Sequence, residues 1–227
     1  GTLFFIKSTD LLMDKSFKHI STVQDIRKRE LEENVKNKLF EIDKLIETTE
    51  FETLVKGIEN PDFISTFLQS NSFYNLYLLD FKTGDILYNF KNERGYIKES
   101  GLVRAWEKCI YNSATVFEDF SAFSPSNDMQ SAFIAKVYKD DKNKPLAIVA
   151  LQLSPEFISN VLKSREGLGE SGESYLISHE KKTDRFEFRS DLQTMGDGAY
   201  RVGTLWEHPL KYWEDAVANR AVVENKK

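Results

Sequence analysis

The sequence predicts an α+β protein, in which a long N-terminal helix precedes a five-stranded antiparallel sheet module and a second, incomplete module of the same kind. Three observations predict this class. Residues 10–49 contain no proline or glycine and place apolar side chains at helical spacing. Residues 75–153 carry five short strand patterns and one helix pattern. After a glycine-rich stretch, two more strand patterns follow between residues 174 and 189.

The N-terminal segment predicts one amphipathic helix. Its apolar residues recur mostly every three or four positions: Phe17, Ile20, Val23, Ile26, Leu31, Val35, Leu39, Ile42 and Ile46. At 1.5 Å per residue such a helix is roughly 60 Å long. This is longer than most globular domains need, so we expect it to pack against a second copy of the chain. A shorter helix at residues 61–69 leads into the first strand.

The first sheet module is predicted from periodicity. Residues 75–81 are apolar on both alternations, which indicates a strand that is covered on both faces. The remaining elements are a turn at 82–85, a strand at 86–90, a helix at 101–112, and strands at 115–120, 131–138 and 146–153. This order of elements resembles that of a PAS-like module with an antiparallel sheet.

The pattern then restarts. A helix at residues 155–163 leaves the first module, strands follow at 174–178 and 185–189, and a helix pattern covers 209–218. About three more strands would complete a second sheet, so we expect this module to be incomplete within the sequence. The predicted divisions are the N-terminal helix and linker (1–69), the first module (70–155), a connecting helix and glycine loop (156–172), and the second module (173–227).

The glycine loop imitates a nucleotide-binding fingerprint. Gly167, Gly169 and Gly172 match G-x-G-x-x-G, but a dinucleotide loop follows a strand and opens a helix, and here the order is reversed. Glu170 and Glu173 also place negative charge where a pyrophosphate would lie. We therefore interpret the loop as a helix-to-strand connector whose glycines adopt positive φ in tight turns.

Composition excludes several function classes. A net charge of −5 argues against nucleic acid as a partner. The single cysteine, Cys109, excludes an internal disulfide and is predicted to be a buried structural thiol. The three histidines lack metal-ligand spacing, and no serine lies in a nucleophile elbow. We expect no enzymatic activity, no metal and no cofactor.

No stretch reaches the 18 or so apolar residues that a membrane helix needs. The apolar start of the chain, Leu3-Phe-Phe-Ile6, is too short to span a bilayer. It fits two interpretations equally, the trailing end of a transmembrane helix or an ordinary apolar N-terminus.

Several segments together resemble the double Cache sensor family. They are Tyr74-Asn-Leu-Tyr-Leu-Leu-Asp80, Leu102-Val-Arg-Ala-Trp106, Phe123-Ser-Pro-Ser-Asn127, Ala132-Phe-Ile-Ala135 and Ala150-Leu-Gln-Leu153, in the order that the family has them. The resemblance covers roughly residues 10–190 and is closest to methyl-accepting chemotaxis receptors. It implies a periplasmic or extracellular domain that senses a small molecule, is anchored to the inner membrane by flanking helices, and forms a homodimer in the receptor.

Other functions remain open on the sequence. Histidine kinases and nucleotide cyclases carry similar modules, so the output domain is undetermined. A scaffold whose long helix forms a coiled coil and whose domain binds no ligand is an alternative. A cytosolic PAS-type sensor needs a haem-ligating histidine or a flavin-reactive cysteine, and residues 10–154 offer only His19 and Cys109.

The candidate ligand site combines aromatic walls with two charges, as small-molecule sites do. Arg104 suits a ligand carboxylate and Asp119 suits a ligand amine. The predicted binding residues are Tyr77, Tyr88, Arg104, Trp106, Phe117, Asp119, Phe123 and Phe133. We expect the ligand between the sheet and the segment from Tyr88 through the 101–112 helix. The alternative is that the aromatics are core residues and that Arg104 extends to solvent.

Overall fold

The computed structural model describes residues 2–112, 114–163, 168, 173–180, 183, 185–191 and 201–205. The chain splits into two compact units. One is Glu33–Phe157, and the other combines Gly1–Glu32 with Ile158–Lys227. The domain divisions expected from the sequence stay a prediction.

The N-terminal region contains three helices. They are α1 (Thr2–Ile46), α2 (Thr49–Val55) and α3 (Pro61–Ser70). The sequence predicted that the first helix continues to residue 49, but α1 ends earlier because Thr48 caps α2. Its side-chain oxygen accepts a hydrogen bond from the backbone N–H of Phe51 at 3.2 Å. Asn60 caps α3 in the same way, and Pro61 occupies the first turn, where no backbone donor is needed.

Five strands form one antiparallel sheet in the unit Glu33–Phe157. They are β1 (Asn75–Asp80), β2 (Ile86–Asn89), β3 (Val116–Phe123), β4 (Met129–Lys139) and β5 (Pro145–Leu153), and α4 (Gly101–Tyr111) lies between β2 and β3. The strand order is β2-β1-β5-β4-β3. This confirms the predicted long helix and five-stranded antiparallel module.

Both faces of the sheet are covered, as the apolar pattern of the first strand predicted. The first five residues of β1 are all buried. One face packs against α4, and its alternating residues include Tyr77, Phe133 and Ala150. The opposite face lies toward α1 and α2, because Lys136 pairs with Asp43 of α1 at 2.6 Å. The buried residues of the central strands therefore divide between the two faces of the sheet.

Helix α4 buries the side chains that the sheet does not supply. Leu102, Ala105 and Cys109 recur at helical spacing and are at most 2% exposed. Burial raises the pKa of the Cys109 thiol to about 12, so the thiol stays protonated at neutral pH. The predicted structural role of this cysteine is confirmed.

Strand β3 contains an irregularity that changes which side chains face α4. Its pairing with β4 shifts register between Glu118 and Ser121. Val116 packs in the core under α4 before the shift, and Phe123 packs in the same core after it. An uninterrupted strand cannot place positions 116 and 123 on one face, because side chains alternate with a period of two. Even-numbered residues of β3 therefore point toward α4 before the bulge, and odd-numbered residues point toward α4 after it.

The second unit is described only in part. It includes residues 158–162 of helix α5 (Glu156–Leu162), and its strand β6 (Ile177–Glu180) pairs antiparallel with β7 (Arg185–Phe188). Strand β6 starts later than the predicted residue 174. The three predicted loop glycines and the predicted helix at 209–218 lie outside the described residues. In the described part of the chain, no helix combines the length and apolarity needed to cross a membrane.

Candidate functional site

A cavity of about 260 Å³ opens on the α4 side of the sheet. Its lining comes from β2, from the segment between β2 and α4, and from the short turn after β3, and consists of Ile86, Asn89, Glu93, Arg94, Gly95, Ile97 and Pro125. Three of these seven residues are apolar, two carry charge, one is an amide and one is glycine. Apolar walls with a few convergent polar groups are typical of small-molecule sites.

Glu93 is the polar centre of this cavity. Its Oε1 atom accepts a hydrogen bond from the Tyr74 hydroxyl at 2.9 Å. Its Oε2 atom accepts one from the Ser126 hydroxyl at 2.6 Å, and the Tyr77 hydroxyl lies 3.5 Å away. The amide of Asn89 donates to the Glu93 backbone carbonyl at 2.7 Å. Among the described residues, no lysine, arginine or histidine nitrogen lies within 4.0 Å of the carboxylate.

The buried side-chain amide of Gln152 donates a hydrogen bond to Ser126, one of the hydroxyl donors to Glu93. Gln152 of β5 is fully buried, and its Nε2 atom donates to the hydroxyls of Ser126 and Ser131 at 3.0 and 2.8 Å. Because Ser126 accepts from Gln152, its own proton is directed to Glu93. The Oε1 atom of Gln152 lies 3.4 Å from the Tyr77 hydroxyl. Gln152 is therefore a positioning residue for the polar centre.

Tyr77 joins the buried network to the strand edge. Its hydroxyl accepts a hydrogen bond from the amide of Asn75 at 3.0 Å. Burial, reinforced by the negative charge of Glu93, raises the pKa of the Tyr77 phenol well above its usual value. The hydroxyl is thus a neutral donor at any physiological pH.

The cavity lining includes none of the eight predicted binding residues, and the structure places these in three groups. The first is an aromatic core, in which Tyr77, Phe123 and Phe133 are each fully buried. Phe123 and Phe133 meet edge to face at 5.0 Å between ring centroids, and Tyr77 meets Phe123 at 5.9 Å. Edge-to-face pairs of this kind stabilise a core by about 0.5–1.5 kcal/mol each.

The second group, Arg104 and Trp106 of α4, contacts other elements of the fold. The Nε atom of Arg104 lies 2.5 Å from Oε1 of Glu118, whose side chain is 7% exposed. The indole N–H of Trp106 donates to the carbonyls of Asp80 and Phe81, both at 3.2 Å. These contacts attach α4 to the sheet and to the first hairpin.

The third group consists of Tyr88, Phe117 and Asp119. Tyr88 pairs with Leu78 and is the neighbour of Asn89 in β2. Because adjacent residues of a strand point to opposite faces of the sheet and Asn89 lines the cavity, the Tyr88 side chain points away from the cavity. Phe117 is only partly buried, and Asp119 is exposed and accepts a hydrogen bond from the backbone N–H of Phe120. The bulge in β3 explains the difference, because uninterrupted alternation would align Phe117 and Asp119 with Phe123. Their role in binding stays a prediction.

Of the residues at the polar centre, the sequence prediction included Tyr77 but not Tyr74, Glu93, Ser126 or Gln152. Gln152 carried a usable signal, because it is a polar residue inside the apolar run Ala150-Leu-Gln-Leu153. Ser126 lay in a segment already noted for its resemblance. Glu93 carried no signal, since it lies in an irregular segment without periodicity.

No protein-family model and no curated protein sequence matches the chain. Among solved structures, the fold is similar to the ligand-binding domain of the Pseudomonas fluorescens chemoreceptor CtaA in complex with L-isoleucine. The TM-score is 0.57 at 12% identity, over 86% of this chain and 74% of that one.

A second similar structure is the ligand-binding domain of the Campylobacter jejuni chemoreceptor Tlp3 in complex with 4-methylisoleucine. Its TM-score is 0.51 at 10% identity, over 78% of this chain and 69% of that one. At these identities the likeness concerns the fold. The chain shares its fold with these two chemoreceptor ligand-binding domains, which agrees with the architecture that the sequence resemblance implied.

Proposed function

We propose that this chain is the extracytoplasmic small-molecule sensing domain of a bacterial transmembrane receptor of the chemotaxis type. It binds a solute and catalyses no reaction. Its ligand site is the cavity beside β2, and its fold is shared with two chemoreceptor domains whose structures contain L-isoleucine and 4-methylisoleucine.

The observation that carries this proposal is the hydrogen bonding of the Glu93 carboxylate. Three hydroxyl groups surround its carboxylate, and no cationic side chain among the described residues pairs with it. A carboxylate held by hydroxyl donors at a cavity wall is prepared to receive a positive charge from outside the protein. Oε1 accepts one of the three hydroxyls, so it retains a lone-pair direction for a ligand N–H group.

The remaining lining residues narrow the ligand class. Arg94 is exposed at the cavity rim, and a guanidinium suits a ligand carboxylate. Ile86, Ile97 and Pro125 supply an apolar wall. An amino acid with an aliphatic side chain satisfies Glu93, Arg94 and the apolar wall, whereas a small amine satisfies Glu93 and the apolar wall. The predicted carboxylate or amine ligand is kept, with Glu93 and Arg94 in the roles first given to Asp119 and Arg104.

We also propose that the receptor is a homodimer through α1 and is anchored by flanking membrane helices. Within the unit Glu33–Phe157, α1 has one buried face that includes Ile42 and Leu45. Its other face carries Phe40, which is 57% exposed. An exposed aromatic residue on a helix that already has a buried face suits a second helix as its partner.

A thermal-shift comparison of matched solutes tests the ligand proposal. The set is an aliphatic amino acid, the amine that lacks its carboxylate, and the acid that lacks its amine. A ligand at a hundredfold excess over its Kd stabilises the native state by about 2.7 kcal/mol. We expect the amino acid and the amine to raise the melting temperature and the acid to have no effect. A shift with the acid alone would contradict the assignment of Glu93.

A further inference from the structure

The segment that covers the cavity is hydrogen-bonded through its backbone near its two ends but, within the described part of the chain, not between backbone groups at its centre. This strap, residues 90–97, connects β2 to the turn before α4 and contributes Glu93, Arg94, Gly95 and Ile97 to the cavity lining. Between residues 93 and 96 no backbone-to-backbone hydrogen bond joins the strap to any described residue. Its central part is therefore held by side chains and by packing.

The two ends of the strap are fixed more firmly. At the first end, the backbone N–H of Phe90 donates to Leu76 at 3.1 Å and that of Lys91 donates to the Asn75 side chain at 3.2 Å. After the second end, a guanidinium nitrogen of Arg104 donates to the Glu99 carbonyl at 2.6 Å. Fixed ends with a weakly attached centre allow the centre to move while the fold stays intact.

Two contacts hold the centre of the strap against the turn after β3. The Ser126 hydroxyl donates to Glu93 at 2.6 Å. Gly95 lies against the same turn so closely that a β-carbon there would come within 2.8 Å of the Pro125 nitrogen. The first contact is a charge-assisted hydrogen bond, and the second is packing that glycine alone permits.

We infer that the strap is a gate over the cavity, held closed by the hydrogen bonds that Glu93 accepts from Ser126 and Tyr74, and that a ligand enters when these bonds open. This inference rests on the proposed function, because it assigns a gate to the proposed site. Displacing the strap moves four of the seven lining residues. The closed gate is compatible with a bound amine, since the free lone pair lies on Oε1 and the Ser126 bond lies on Oε2.

The test measures access to the cavity without any ligand. Ile86 lines the cavity beneath the strap, so Ile86→Cys places a thiol there for labelling by a small neutral methanethiosulfonate. The native Cys109 is buried and contributes little background. Labelling rates are compared for Ile86→Cys alone and combined with Glu93→Gln, Ser126→Ala or Glu99→Gln. The last is the matched control, because it removes one negative charge from an exposed side chain just beyond the strap.

We expect Glu93→Gln and Ser126→Ala each to raise the labelling rate about tenfold, as loss of a hydrogen bond to a charged group predicts. Glu99→Gln should label at the rate of Ile86→Cys alone. Equal rates in all four proteins, or an equal increase with Glu99→Gln, would overturn the gate. Circular dichroism verifies folding, and Tyr74→Phe replaces any variant that fails to fold. A domain that binds no amine still shows this pattern if the gate exists, so failure of the proposed function is distinguishable.

Discussion

The guanidinium of Arg104 and the carboxylate of Glu118 form an ion pair of 2.5 Å that joins α4 to β3. A second nitrogen of Arg104 donates to the Ser121 hydroxyl at 2.9 Å, on the other side of the bulge. Lys108 lies on the remaining oxygen of Glu118, also at 2.5 Å. Arg104 thus joins α4 to β3 through residues on both sides of the β3 bulge.

Arg104→Ala should therefore lower the free energy of unfolding. Glu118 is nearly buried and would keep only Lys108, so we expect a loss of about 1–3 kcal/mol, reduced by the partial exposure of Arg104. Urea unfolding measures it. Lys108→Ala is the control, since it removes a more exposed cation from the same carboxylate. Equal losses in the free energy of unfolding for the two variants would contradict the larger contribution expected of Arg104.

Gly95→Ala should impair ligand binding more than folding. The added β-carbon meets backbone atoms of Ser124 and Pro125 at 2.8–3.0 Å, so the strap must move away from the turn. Calorimetric titration measures the expected weaker affinity. Gly57→Ala is the contrasting variant, because position 57 has φ of +85° and no atom within 4 Å of the added carbon. It should cost about 1 kcal/mol in stability and leave affinity unchanged. Loss of affinity in both variants would argue against a local effect.

Stability should fall in the alkaline range. Burial raises the pKa of Cys109 from 9.0 to about 12 and also raises that of Tyr77. Because the folded state favours the protonated forms, their contribution is complete below pH 9.0 and is lost as the pH rises toward 12. Urea unfolding at pH 8 to 11 measures the slope. Cys109→Ala should give a shallower slope, and an identical slope would refute the assignment to the thiol.

The dimer proposal predicts a periodic cross-linking pattern along the second half of α1. Single cysteines at the exposed positions Glu33, Asn37, Phe40 and Lys44 should form disulfides between subunits in membranes carrying the full receptor. Cysteines at the buried positions Ile42 and Leu45 should not. Non-reducing gel electrophoresis after mild oxidation gives the pattern. Cross-linking without periodicity would remove α1 as the dimer contact.

The fold was accessible from sequence where periodicity was undisturbed. Residues 75–81 are apolar on both alternations, and the strand they form is covered on both faces. Helix α4 was predicted to begin at residue 101 and does so, because Ser100 accepts a hydrogen bond from the Val103 backbone N–H. In these segments local pattern and tertiary packing agree.

The site was less accessible for two physical reasons. The bulge between Glu118 and Ser121 places Phe117 and Asp119 on the sheet face opposite Phe123, and residue type alone does not indicate such an irregularity. Glu93 lies in a strap without regular structure, and its position depends on residues 19 and 33 positions away in sequence, Tyr74 and Ser126. Contacts of this kind leave no local trace in composition or periodicity.

Ligand binding at Glu93 is tested most directly by calorimetric titration of the parent domain, Glu93→Gln and Glu99→Gln with the amine that gives the largest thermal shift. We expect similar affinities for the parent and Glu99→Gln, and at least about tenfold weaker binding by Glu93→Gln, because the ligand cation loses its carboxylate partner. Binding by Glu93→Gln with the affinity of the parent would contradict the placement of the ligand at Glu93.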